Sequence, residues 1–191
     1  MDPADVIDAA ARRFTARYEQ IAPALCVWAM RHVSATVRAR IEVDDVLQET
    51  WLRALRLQDR FTGDDAAFRS WIFAIGKNLL LEVQRSTRRL QRVRIGDGDT
   101  AQFHAFDQIS ASVTAMSQVL LRDEAIQRFH AYLQTLPRAD QDLVSFCGLE
   151  GSTCAEAARK LGIGEEAAHK RWQRLRARLR EGGLADEWLC A

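Results

Sequence analysis

The chain has 191 residues, 48% of them hydrophobic and 28% charged, with a formal net charge of +1. That balance excludes a disordered or fibrous chain, and the length allows one ordinary domain or two small ones. The longest apolar stretch, Ser70 to Val83, is broken by Gly76, Lys77 and Asn78, and a bilayer span needs about 20 apolar residues. The N-terminus, Met1-Asp2-Pro3-Ala4-Asp5, lacks the basic-then-apolar order of a signal peptide. A cytoplasmic protein with no membrane insertion is expected.

Cysteine usage adds little. Cys26, Cys147, Cys154 and Cys190 form no CxxC pair, and no His stands near them at zinc spacing. Cys26 and Cys147 read as small core hydrophobes. No metal site and no cofactor is expected. The four histidines are scattered, and neither a nucleophile–base pairing nor a Gly-rich phosphate loop appears, so the chain does not read as an enzyme.

Charge is unevenly distributed. Met1 to Ala67 carries 9 basic and 11 acidic residues. Phe68 to Arg94 carries 7 basic residues against Glu82 alone, and Glu156 to Arg180 carries 8 against 3. Two basic segments in a neutral chain suit a nucleic-acid partner, although either could be a solvated helix face.

Periodicity is helical almost throughout, and the fold class is all-α. In chain order the predicted helices cover about 6–18, 24–37, 45–57 and 67–89, with a polar loop at 58–65. Ile95 to Thr100 reads IGDGDT, and small polar residues continue to Ser117, which predicts a flexible linker over 93–118. The domains are then 1–92 and 119–183, with a tail over 184–191. In the second domain helices are predicted over 119–135 and 137–148. Thr153-Cys154-Ala155-Glu156 matches a capping box, and that helix stops at Leu161 before Gly162. The last helix runs from Glu165 to about Glu181.

Two constellations carry chemistry. The first is the pair of helices around Gly162-Ile163-Gly164, the layout of a helix-turn-helix. With Ala157, Leu161, Ile163, Ala168, Trp172, Leu175 and Leu179 turned inward, His169, Lys170, Gln173 and Arg174 face outward as base readers. Arg171, Arg176, Arg178 and Arg180 suit phosphates. The bland alternative is a plain helical hairpin.

The second constellation is an amphipathic helix with an acidic start, Asp44 to Leu55, followed by a helix with an aromatic stripe. On the first, Asp44, Asp45, Gln48, Glu49 and Arg53 stay outside. On the second, Phe68, Trp71, Ile72, Ile75, Leu79 and Val83 line one side, more in the manner of core than of a stacking platform. Lys77, Asn78, Arg85, Arg88 and Arg89 line the other.

Together, DDVLQETWLRAL (44–55), DRFTGDDAAFRSWIFAIGKNLLLEVQRSTRR (59–89) and LQTLPRADQDLVSFCGLEGSTCAEAARKLGIGEEAAHKRWQRLRARLRE (133–181) resemble the bacterial RNA polymerase sigma factors of the extracytoplasmic-function (ECF) class. The resemblance implies a region 2 helical bundle and a region 4 helix-turn-helix domain. It implies that Asp44, Asp45, Gln48, Glu49 and Arg53 contact core RNA polymerase, whose β′ clamp and β flap are the expected docking points. Gln58, Asp59, Arg60, Phe61, Thr62, Gly63 and Asp64 would hold a flipped base of the minus-ten element. Lys77, Asn78, Arg85, Arg88 and Arg89 would hold adjacent backbone. His169, Lys170, Arg171, Gln173, Arg174 and Arg178 would meet the minus-thirty-five element. Promoter DNA and core polymerase are the implied partners, and members of the class are commonly held by an anti-sigma factor.

Some positions depart from the family pattern. Gly164 stands where Pro is common, Ala167-Ala168 where Thr-Val is common, Lys170 where Ser is frequent, and Trp172 where Leu is usual. The rival readings are a stand-alone helix-turn-helix regulator and a sigma-like protein that binds polymerase or a regulator without initiating.

Overall fold

A computed structural model of the chain describes residues 3–92, 111–184 and 188–190, and those residues contain helices and no strand. Helix α1 runs Pro3–His32 as one element, where the sequence predicts two helices separated near Pro23. An interior Pro costs about 3 kcal/mol. Phe14, Tyr18, Ile21, Leu25 and Trp28, spaced by three and four, are all buried on one face. Each large apolar side chain gains about 1.5–3 kcal/mol on burial, so the continuous face outweighs the Pro. The Tyr18 hydroxyl donates to the Leu47 carbonyl at 2.7 Å, tying α1 to its neighbour.

After the short α2 (Ala35–Arg38), α3 spans Val43–Leu57. The Glu42 amide donates to the Asp45 carboxylate at 2.9 Å and starts that helix. A 3-10 turn over Gln58–Arg60 leads through a loop to α4, Asp65–Arg92. The Asp64 carboxylate accepts from the Ala67 amide at 2.8 Å, so α4 begins two residues earlier than expected. Helices α1, α3 and α4 pack together as the N-terminal bundle.

Part of the expected linker is helical. Residues 93–110 lie outside the described residues, but 111–118 belong to helix α5, Ala111–Arg122. Small and polar residues suggest a loop there. However, Val113, Met116 and Leu120 share one helical face, and α5 packs against α3 and α1. The single helix predicted over 119–135 is two. Asp123 accepts from the Ala125 and Ile126 amides and opens α6, Glu124–Thr135.

Helix α7 (Arg138–Leu143) passes into a π-helical turn over Val144–Leu149. Helix α8 (Cys154–Leu161) carries the predicted capping box, with Glu156 donating its amide to Thr153 Oγ1 at 3.2 Å and Glu156 Oε2 accepting from the Thr153 amide at 2.9 Å. Gly162 ends it at φ 67°, in the left-handed region where glycine carries no steric penalty. Helix α9 spans Glu165–Glu181. Trp172, a large side chain where Leu was expected, fits because Gly148 lies beneath it. A Cβ on Gly148 would come within 2.8 Å of the Trp172 ring.

The two halves are in contact. Helix α1 packs on α5, α6 and the π-helical turn as well as on its own bundle. His32, at the end of α1, stacks on Trp28 with ring centroids 4.6 Å apart and shares a 2.7 Å hydrogen bond with the Trp28 carbonyl. Burial lowers its pKa most, and Arg31 and Lys77 add to that. The Trp28 carbonyl and Glu150 only partly oppose it. His130 on α6 is lowered as well, by burial and then Arg38. Both rings are therefore held neutral in the fold, while an unfolded His protonates near pH ~6.5. Stability is at its full value above that pH and is lost as pH falls toward the depressed folded pKa, because the unfolded chain then binds more protons. The melting temperature is expected to drop between pH ~7 and ~5.5, with His32 contributing a slope of at most about 1.4 kcal/mol per pH unit. A His32→Gln/His130→Gln variant melting with the same pH slope as the parent would refute the assignment.

Candidate nucleic-acid interface

The loop before α4 folds into an aromatic corner. Phe61 stacks on Trp71 at 4.9 Å, and Phe68 meets Phe61 edge-on at 5.4 Å and Phe14 at 5.7 Å. The Arg17 guanidinium lies 4.2 Å from the Phe68 centroid and 5.5 Å from that of Phe61, and it hydrogen-bonds the Asp64 carbonyl at 2.9 Å. Between them is a hollow of about 150 Å³ lined by Phe14, Arg17, Gln58, Phe61, Phe68 and Trp71. A hollow of about that volume admits one aromatic ring. Asp59, Arg60, Thr62, Gly63 and Asp64 are exposed around its rim.

Sequence reasoning named Gln58 and Phe61 for this corner but missed Phe14 and Arg17, which α1 delivers from 47 residues away in the chain. It also treated the stripe on α4 as core. Phe68, Ile72, Ile75, Leu79 and Val83 are buried accordingly, while Trp71 is only half-buried and lines the hollow.

On the far side of α4, Asn78 and Arg85 are exposed. Lys77 instead pairs with Glu150 of the C-terminal half. The side chains of Arg88 and Arg89 lie outside the described residues.

The acidic helix α3 is less open than its pattern suggests. Asp44 and Asp45 are half-buried. Gln48 and Glu49 are only 5% and 4% exposed. Gln48 Nε2 donates to Ser117 Oγ on α5 at 3.2 Å. Arg53 donates to Glu49 at 2.7 Å and to Glu82 on α4 at 2.8 Å. Burial alone would lower the Arg53 pKa, but these two carboxylates more than offset it and hold it above the ordinary value.

In the helix-turn-helix, the outward face of α9 is as expected. His169, Lys170, Gln173 and Arg174 are exposed. Gln173 and His169 share a 2.9 Å contact, and Lys170 pairs with Glu166 at 2.6 Å. Arg171, expected at phosphate, is half-buried. It pairs with Asp140 on α7 and so braces α9 against the rest of its domain. A groove of about 610 Å³ beside it is lined by Asp140, Arg171, Arg174, Ala177 and Arg178. Arg178 is exposed there.

A basic helix beside an aromatic hollow and a helix-turn-helix with an exposed α9 face are two surfaces suited to a nucleic-acid partner. Residues 17–90 match the family model described as Sigma-70 region 2. The chain is 27% identical over 138 residues to the RNA polymerase sigma factor CnrH of Cupriavidus metallidurans, covering 72% of this chain and 71% of that one. It is 28% identical, with the same coverage, to the RNA polymerase sigma factor NccH of Alcaligenes xylosoxydans xylosoxydans. It is 28% identical over 137 residues to the ECF RNA polymerase sigma factor BldN of Streptomyces coelicolor, of which it spans 49%. The chain is thus similar to named RNA polymerase sigma factors, one of them of the ECF class, and its match to the family model lies within residues 17–90.

Proposed function

We propose that this chain joins core RNA polymerase and directs it to promoters by reading two DNA elements, one with each domain. Residues 1–92 act as region 2, with 93–118 as the connection and 119–183 as region 4. The observation that carries the reading is the aromatic hollow. A ring-sized, cation-rimmed cavity at the head of a basic helix suits an extruded base, since stacking returns about 1–3 kcal/mol per base against the cost of unstacking. Gln58 to Asp64 frame that base, and Lys77, Asn78, Arg85, Arg88 and Arg89 follow the adjacent backbone. On α9, His169, Lys170, Gln173 and Arg174 read base edges, and Arg178 meets phosphate. Asp44, Asp45, Gln48, Glu49 and Arg53 form the polymerase-binding face, with the β′ clamp and β flap as docking points. An anti-sigma factor is a further partner in this reading. The action is recruitment rather than chemistry, and its place is the cytoplasm. In support of that place, no described helix is long and apolar enough to cross a membrane.

The test is run-off transcription with bacterial core polymerase and a promoter library, using the native chain beside an Asp44→Arg/Asp45→Arg variant. Asp45 also accepts the Glu42 amide at the start of α3, so circular dichroism and melting of the variant are measured alongside, and lost binding counts only where the fold is retained. Reversing charges at an interface costs about 2 kcal/mol or more, so core binding is expected to fall at least about 30-fold and specific transcripts to vanish. No transcripts from the native chain, together with DNA footprints made without polymerase, would favour the stand-alone regulator.

A further inference from the structure

Three cysteines meet on one turn of the C-terminal half, and none of the proposed DNA or polymerase contacts uses them. Cys147 lies in the π-helical turn and is 4% exposed, Cys154 is the first residue of α8 and is half-buried, and Cys190 stands in the tail. All three are free thiols. Backbone hydrogen bonds fold the intervening chain back on itself. The Glu150 amide donates to the Ser145 carbonyl at 2.9 Å and the Ser152 amide to the Phe146 carbonyl at 2.8 Å, with Gly151 making the reversal at φ 74°. The tail joins the same turn, because the Cys190 amide donates to the Gly148 carbonyl at 2.9 Å. A Cβ on Gly151 would stand 3.2 Å from the Cys190 sulfur.

Cys147 and Cys154 act on each other. Burial raises the Cys147 pKa most, the charge of Cys154 and a hydrogen bond with it raise it further, and Cys190 adds to this, while Lys160 opposes them. Cys147 is therefore the protected thiol, and Cys154 is the one that a small oxidant reaches. Oxidation of Cys154 to an uncharged sulfenic acid removes the negative charge that helps to keep Cys147 protonated and leaves Lys160 in place. The first step thus prepares the second.

We propose that Cys147 and Cys154 form a thiol pair that hydrogen peroxide closes to a disulfide, and that the closed form of the helix-turn-helix binds DNA less well. The Cys154 sulfur attacks one peroxide oxygen, an S–O bond forms as the O–O bond breaks, and the released hydroxide leaves as water with the thiol proton. The Cys147 sulfur then attacks the Cys154 sulfur. An S–S bond forms, the S–O bond breaks, and the second hydroxide leaves as water with the Cys147 proton. The two thiols together lose two electrons, and the peroxide gains them. A disulfide needs an S–S distance of about 2.05 Å, well inside the contact distance of two thiols. Cys147 is held in the core next to Gly148, over which the Trp172 ring of α9 packs. The first turn of α8, with its Thr153–Glu156 capping box, is the part that yields, and the seat of α9 shifts with it. This consequence rests on the assignment of α9 as the reading helix under the proposed function.

The experiment treats the reduced full chain with hydrogen peroxide beside Cys154→Ser, Cys147→Ala and Cys190→Ser. Intact mass reads the loss of two hydrogens. Cleavage after Glu150 separates the two cysteines, so a bonded pair of peptides identifies the partners. Run-off transcription with core polymerase, after the peroxide is removed, reads the effect. The native chain and Cys190→Ser are expected to form the bond and to lose output by about fivefold or more, the equivalent of one base contact, with recovery on a dithiol reductant. Cys154→Ser and Cys147→Ala are expected to form no such bond and to keep their output. If Cys147→Ala fails to fold, Cys154→Ser alone decides. No Cys147–Cys154 bond under excess peroxide overturns the proposal, as does a bond that requires Cys190 or a bond that leaves output unchanged. No transcripts even from the reduced native chain overturns the proposed function and the effect on DNA with it, whereas the bond is read independently by mass.

Discussion

Phe68→Ala is expected to destabilise the N-terminal bundle by about 3–5 kcal/mol, the range for removing a fully buried aromatic ring. Phe68 is the hub of the aromatic corner. It is 2% exposed, meets the rings of Phe14, Phe61 and Trp71 within 5.7 Å and lies under the Arg17 guanidinium. Small domains have about 5–15 kcal/mol in total, so this change removes a large share. Chemical denaturation would measure it, with Phe68→Leu, which leaves a smaller cavity, as the control expected to lose less. A loss under about 1 kcal/mol in the Ala variant would mean that the corner collapses without cost and that Phe68 does not organise it. The same change enlarges the hollow, so opening of a promoter bubble is expected to weaken even at temperatures where the fold survives.

Substitutions on α9 are expected to separate into three kinds. Gln173→Ala and Arg174→Ala should each relax discrimination at one base pair by about 1–3 kcal/mol, roughly 5- to 150-fold, because both side chains are exposed on the face proposed to read bases. Arg178→Ala should weaken binding to all sequences about equally and reduce the salt slope by about one ion. Arg171→Ala should instead lower thermal stability, since Arg171 holds α9 to Asp140 on α7. Selection from a randomised upstream element, repeated across salt concentrations, would measure all of these. A base-specific change from Arg171→Ala without loss of stability would return that residue to the DNA face.

The helix-turn-helix was legible because its signals are local. Thr153 and Glu156 cap each other across three residues, and Gly162 takes its left-handed conformation from its own lack of a Cβ. The outward set His169, Lys170, Gln173 and Arg174 follows from helical spacing alone. Helix α3 starts at Val43, two residues before the expected Asp45, because Glu42 and Asp45 cap each other. The other half of the aromatic corner was not legible. Phe61 and Trp71 stand near each other in the chain, but Phe14 and Arg17 reach the hollow only through the packing of α1.

What the sequence by itself determined is the all-α class, the two basic segments, the capped helix-turn-helix and the residue types available at each surface. All of these rest on interactions within about four residues or on composition. The tertiary structure decided which of those residues are accessible. It carried α1 through Pro23, made residues 111–118 part of a helix whose Ser117 meets Gln48, and placed Lys77 and Arg171 in ion pairs. Trp28 meets Glu150 across 122 residues, and no window of sequence contains both. Such pairings depend on how apolar faces and buried charges are satisfied together, and that is settled only when the whole chain packs.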